Sequence, residues 1–212
     1  MLPPDRVPDL VDTSGRFRTH MVRAALDMFM KARVRKQLAA EITAQFSAFA
    51  DSGLKLDHVN AHKHFHLHPT IASCVLDIGP RFGMKALRVP YEPRAVLASV
   101  EPAADVAGLV IGPWAALLRR RVRRHGLISA DWTFGNSWSG ALSVRRLAGL
   151  ISNLPDGISE IYGHPATSAR FVGAAAGYRY EDELAALTSA AVSQALRERR
   201  IVTTTFAGVI RA

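Results

Sequence analysis

Five of the eight histidines in this 212-residue chain fall between positions 58 and 68: His58, His62, His64, His66 and His68, in LDHVNAHKHFHLHPTI. Neutral imidazole is the commonest protein metal ligand, and histidine is the one side chain that titrates unperturbed near neutrality. Such a cluster suits metal binding, proton transfer or both. His62, His64, His66 and His68 are spaced by two. Continued as a strand they would share one face, where four imidazoles would repel or compete for protons. A loop that splays them, with one or two on a metal, is the expectation; adventitious metal capture is the rival reading. A further histidine, His164, stands far downstream in SEIYGHPAT. Taken alone, it could equally be a hydrogen-bonded structural residue. His20, His58 and His125 read as structural or surface residues.

Both His62 and His164 follow a short β-prone run and precede a proline, which is favoured in the first turn of a helix. In a parallel sheet they would stand at the carboxyl ends of strands, the rim where α/β proteins bind ligands. His62 and His164 are therefore expected to converge on one pocket, with Asp131, at the end of an intervening run, beside them.

The elements that must position these residues alternate along the chain. Helical periodicity covers 17–30 and 34–52, and Gly53 supplies a stop for the second. A strand over 56–60 leads through the histidine loop to a helix from Pro69, which stops or kinks at Gly79-Pro80. A strand over 86–89 precedes a loop with Pro90, Pro93 and Pro102, then a helical region through an arginine run. A strand over 128–132 enters the loop TFGNSWSG, followed by a helix over 143–153 and a strand over 158–162. A last helix over 181–199 and a β-branched strand over 201–206 close the pattern. Alternation of this kind predicts a single α/β domain spanning 1–212, with a mainly parallel sheet, right-handed crossovers and flanking helices.

Bulk properties narrow the classes. With 49% apolar residues the chain can bury a substantial core. No window holds the roughly 18 uninterrupted apolar residues of a membrane span. The opening MLPPDRVPDLVD has acids and prolines where a secretory leader has its apolar core, so no leader is expected. Cys74 is the only cysteine, which excludes an internal disulfide. It reads as a buried inert thiol rather than a nucleophile. Lys and Arg number 27 against 18 Asp and Glu, a net charge of +9. Much of the excess lies in WAALLRRRVRRHG, where Trp114, Leu117, Leu118 and Val122 interleave with Arg119, Arg120, Arg121, Arg123 and Arg124. The first reading is a helix with its cations in water; the second is an interfacial helix on anionic lipid. Nucleic acid is not expected as a partner, because no aromatic-interleaved basic groove or DNA-binding motif accompanies the charge.

NAHKHFHLHP resembles the D-S-H-x-H-x-H-x-x-P signature of YdjC-like carbohydrate deacetylases, and EIYGHP resembles their later E-I-x-x-H-P segment. The chain is nearer still to the hopanoid-biosynthesis branch, HpnK, which shares HVNAHKHFHLHP and the FGNSWSG-type loop. The resemblance runs along essentially the whole chain. It implies a (β/α)-barrel-like fold related to polysaccharide deacetylases and a divalent metal, Mg²⁺ by family assignment with Zn²⁺ as the alternative. It also implies removal of acetyl from an N-acetylated sugar, in this branch an N-acetylglucosaminyl hopanoid or related glycolipid. Residue by residue, it makes His62 a metal ligand and His164 the general acid. His64 and His66 line the site with Asn60, Arg88 and Trp138. Asn60 stands where the family usually has Asp, and His68 where it usually has an apolar residue.

The family opens with strands ending in A-D-D-F-G and G-x-H, which supply the acidic base and another metal histidine; neither stretch occurs in this sequence. The resemblance therefore implies a member without the family's N-terminal segment, an incomplete barrel, and little or no deacetylase activity for the chain as written. Asp131 is the candidate catalytic carboxylate that remains. A cytoplasmic location, peripheral at the inner membrane face, and homodimerisation are the accompanying expectations. The alternative from a different class is a non-catalytic module that binds metal or an anionic membrane through the histidine loop and the arginine run.

Overall fold

Helices dominate the chain, and among the described residues only two short strands form, in place of the mainly parallel sheet expected. A computed structural model describes residues 2–102 and 106–211. In chain order its helices are α1 (Met21–Met30), α2 (Ala32–Asp51), α3 (Pro69–Ile78), α4 (Arg94–Val100) and α5 (Val106–Arg124). Strand β1 (Trp132–Phe134), α6 (Val144–Ser152) and strand β2 (Ser159–Ile161) follow. The chain closes with α7 (Tyr180–Leu187), α8 (Ala190–Glu198) and α9 (Phe206–Arg211). Among the described residues, no helix is long and apolar enough to cross a membrane.

Two compact units are distinguished, each assembled from separate stretches of chain. The first holds Met1–Arg88, Leu117–Ser129 and Thr205–Ala212; the second holds Val89–Ala116 and Ala130–Thr204. In the first unit α2 buries Val34, Leu38, Ile42 and Phe46, a four-residue spacing that puts all of them on one helical face. They pack with α3, which buries Ile71, Ala72, Val75 and Leu76. Each Val, Leu, Ile or Phe among them contributes about 1.5–3 kcal/mol when fully buried. Gly79 ends α3 where a β-carbon would collide with Met84 and crowd Phe46. The same unit holds isolated parallel pairings of Val59 with Leu87 and of Ala86 with Ile128.

In the second unit β1 and β2 pair in parallel, with Trp132 opposite Ser159 and Phe134 opposite Ile161. Its core joins Leu97, Phe134, Trp138, Leu142, Leu147, Leu150 and Ile151 with Ala186, Val192 and Ala195 from α7 and α8. Ser143 caps α6 by accepting a hydrogen bond from the Arg146 N–H.

Four expectations about elements change. The helix foreseen over 17–30 begins only at Met21, because 17–20 is drawn into a turn in which Val11 pairs with Phe17. The runs 56–60 and 86–89 make isolated pairings rather than full strands, and Pro90, lacking an N–H, cannot extend the second. The long last helix breaks into α7 and α8 at Thr188-Ser189, where the Ser189 hydroxyl accepts from the Ala191 N–H and starts a new helix. The β-branched run 201–206 is not a strand: Arg200 sits at φ 53, Val202 is 85% exposed, and α9 begins at Phe206.

Candidate functional site

In the first unit the chain leaves the Val59–Leu87 pairing and coils into two tight turns over His62–Leu67. Lys63 (φ 50, ψ 30) and His64 (φ 52, ψ 33) are both left-handed. Consecutive non-glycine residues there are uncommon and each is strained by about 1 kcal/mol or more. This reversal splays the histidines, as their crowding demanded. His62 is exposed, His64 and His68 are half-buried, and His66 is wholly buried.

The His66 Nε2–H donates to the Arg88 carbonyl oxygen at 2.8 Å. That bond fixes the tautomer and leaves Nδ1 as an acceptor, which is buried without a hydrogen-bond partner among the described residues. Burial is the main reason the ring's pKa falls to about 4, so it is neutral at pH 7. Burial also lowers the pKa of His68. His66, His62 and the exposed Asn60 border a cavity of about 680 Å³, whose wall combines apolar side chains of α1, α2 and α3 with Asp9, Arg18, Glu41, Gln45 and Lys63. Arg88 contributes through its backbone, donating to the Val59 oxygen and accepting from His66.

A metal at His62 finds no ready set of ligands here. Among the described residues, no three His, Cys, Asp or Glu side chains converge. The residues present do not by themselves fit the divalent ion that the motif implies.

The second unit presents a different construction at the carboxyl ends of β1 and β2. The loop leaving β1 wraps the carboxylate of Glu92, which accepts from the backbone N–H groups of Gly135 (2.6 Å), Asn136 (2.8 Å) and Ser137 (2.9 Å). The Ser137 hydroxyl donates a fourth bond at 2.7 Å. Gly135 has φ 123, and a β-carbon there would strike the Tyr162 carbonyl oxygen, so this loop lies directly against the exit of β2. His164 follows on that exit. Its N–H donates to Glu183 Oε2, and Glu183 Oε1 accepts from the Leu142 N–H at 3.1 Å. Glu183 is 1% exposed. The His164 ring meets Tyr178 edge-on at 5.0 Å and Tyr162 at 6.1 Å. The phenol of Tyr178 shares a 2.9 Å hydrogen bond with the Ser139 hydroxyl. His164 Nδ1 is also buried without a partner among the described residues.

Two expected site residues stand elsewhere. Asp131 precedes β1, and its carboxylate accepts from the Ile158 N–H just before β2. It therefore sits at the amino ends of the paired strands, opposite the end that delivers His164. The sequence predicts a strand over 128–132 with Asp131 near its end, whereas pairing with β2 begins at Trp132. Trp138 does not line an opening: it is 5% exposed in the core, with the Arg146 guanidinium 5.6 Å from its ring. His62 and Asn60 belong to the first unit and His164 to the second.

The sequence reading missed Glu92, Glu183 and Tyr178. Glu92, an acid flanked by Pro90 and Pro93 just after a β-prone run, was the one visible signal. Glu183 lay hidden in the acidic first turn of a helix, where Glu is unremarkable.

Comparison with known proteins agrees with this architecture. The model of the YdjC-like protein family matches residues 1–198. A carbohydrate deacetylase of Brevibacillus brevis is 26% identical over 206 residues, covering 94% of this chain and 70% of that protein. Among solved structures, one from Enterococcus faecalis V583, described as a cellobiose-phosphate cleavage protein, matches with a TM-score of 0.68 at 19% identity. That match covers 99% of this chain and 72% of the other, and is a likeness of fold.

Proposed function

This chain belongs to the YdjC-like family, and on that premise we propose that it removes acetyl from an N-acetylated sugar, with His164 as the general acid. The observation that supports this most is the placement of His164 at the exit of β2, beside the loop that leaves β1. In parallel sheets that edge is where ligands bind. The relative named as a carbohydrate deacetylase supports the substrate class. Within that class the HVNAHKHFHLHP motif favours an N-acetylglucosaminyl glycolipid of the hopanoid type.

In this reaction water adds its oxygen to the acetamide carbonyl carbon and the C–N bond breaks. The nitrogen leaves as the free amine and the acetyl group as acetate. An amide nitrogen is a poor leaving group until it is protonated, and a protonated His164 would deliver that proton. Glu183 fixes the backbone of His164, while Tyr162 and Tyr178 limit the ring's rotation. Incubation with an N-acetylglucosaminide should release acetate and free amine in equal amounts. Release of phosphate or of a reducing sugar instead would overturn the reading.

A second reading concerns α5. Trp114 and Leu117 are 47% and 46% exposed, on the helix that also exposes Arg120 and Arg124. An aromatic and a leucine beside cations are what an interfacial helix presents to anionic lipid. Arg121 takes no part, since its guanidinium donates to the Pro69 carbonyl and the Ser73 hydroxyl.

A further inference from the structure

We propose that the outward face of α1 docks the chain on an anionic lipid bilayer, its apolar side chains entering the interface and the cations around it meeting the headgroups. None of its residues belongs to the His164 site or to α5, and its role depends on neither.

The face is built by spacing. Val22, Leu26, Phe29 and Met30 fall at i, i+4, i+7 and i+8, one side of a helix. They are 68%, 59%, 57% and 71% exposed, and none of them lines the cavity of the first unit. A lone exposed leucine means little, but four large apolar side chains on one helical side form a patch. The helix is not free to roll and hide it. Ala24 and Met28 are buried on the opposite side. The Asp27 carboxylate holds both Arg18 and Lys31 at 2.8 Å.

Charge decides what covers the patch. Residues 16–36 carry seven Lys and Arg against one acid, Asp27. Arg23 lies two turns from Met30, at the edge of the patch. It is exposed, as is Lys36 on α2, and neither has an acid partner among the described residues. Nucleic acid would meet the cations but leave the apolar side chains in water. A second copy paired through α1 would set this cationic rim against itself, which opposes association. An anionic bilayer satisfies both parts, with its acyl boundary taking the apolar side chains and its headgroups the cations. With ten residues α1 is about 15 Å long, so the contact is shallow and reversible.

The test is co-sedimentation of the full chain with phosphatidylcholine vesicles, with and without phosphatidylserine. A chain carrying Arg120→Gln and Arg124→Gln serves as the reference, so that α5 does not decide the result. At low salt it should bind the phosphatidylserine vesicles, and bind phosphatidylcholine alone at least several-fold more weakly. Adding Leu26→Gln and Met30→Gln should cut binding by about tenfold or more, since two apolar side chains no longer leave water. The urea midpoint should not move, because both side chains are exposed and Gln is a good helix former. Arg23→Gln should weaken binding by about fivefold, the share of one cation near the surface. If the Leu26, Met30 variant does not fold, Arg23→Gln and the lipid comparison still decide. No binding by the reference chain, equal binding to both lipids, or indifference to the α1 substitutions would each overturn the proposal. A dimer that Leu26→Gln and Met30→Gln dissociate, with no vesicle binding, would assign the patch to a second copy and overturn it as well.

Discussion

His66 and His164 both sit beyond β-prone runs, yet their surroundings are opposites. Around His66 the backbone is strained at Lys63 and His64, the ring has one hydrogen bond, and a large cavity opens beside it. Around His164 polar groups are densely paired: Glu92 accepts four hydrogen bonds from the loop after β1, and Glu183 accepts two backbone N–H groups. The first arrangement leaves a cavity open beside its histidine. The second fixes its own geometry before any ligand arrives, which is what proton transfer at a defined atom requires. Both rings leave Nδ1 without a hydrogen-bond partner among the described residues, so what separates the two regions is the cavity beside His66 and the fixed backbone of His164.

The contrast can be broken most forcefully at Glu183. Glu183→Ala strands two N–H groups, and each buried unsatisfied donor is destabilising by about 1–3 kcal/mol. A loss of about 3–5 kcal/mol in urea unfolding is expected, with partial recovery in Glu183→Gln. A loss under about 1 kcal/mol would show that the second region is not held together in this way.

His66 gives the next effect. Its folded pKa of about 4 lies below the ordinary 6.5 because burial opposes the charged ring. The unfolded chain therefore binds a proton more readily between those values. The contribution of His66 is fully present above pH 6.5 and is lost as pH falls through 4. That is about 3 kcal/mol over the window. Urea midpoints for wild type and His66→Gln should converge as pH drops; parallel curves would mean the ring is hydrated after all.

Glu92→Ala should be milder, about 1–3 kcal/mol, because this carboxylate is only partly buried and water can replace it. Its signature is local, namely faster amide exchange at Gly135, Asn136 and Ser137. Unchanged exchange there would separate the loop's order from Glu92. The smallest effect belongs to α5. At low salt, Arg120→Gln with Arg124→Gln should weaken binding to phosphatidylserine vesicles by about 1 kcal/mol per charge. No change would leave α5 an ordinary solvated helix.

Much of this contrast was legible in the sequence, though unevenly. The helices at Ala32–Asp51, Pro69–Ile78 and Val144–Ser152 follow from apolar spacing and local stop signals. The splaying of the histidines follows from their crowding, and the Pro after each histidine run marked where a strand would hand over. The rest depended on distant partners. Trp138 looks like a site residue because it stands in a Gly/Ser loop, but whether that loop faces solvent or core is set by α6, α7 and α8. Asp131 was misplaced by the few residues that separate a β-prone run from the strand it forms, enough to move a side chain from one end of the strand pair to the other. Glu92 reaches across 43 residues to Gly135, a contact that no periodicity encodes.

The central claim is that His164, held at the exit of β2, acts as the acid in acetamide cleavage. Acetate release from an N-acetylglucosaminide by wild type and by His164→Ala, each shown to be folded, tests it most directly. Even slow turnover suffices, because the ratio is what matters. Wild type should release acetate above the protein-free blank, and the variant should fall about 10²-fold or more below wild type, the contribution expected of a positioned general acid. No release from the folded wild-type chain, or equal release by both proteins, would contradict it.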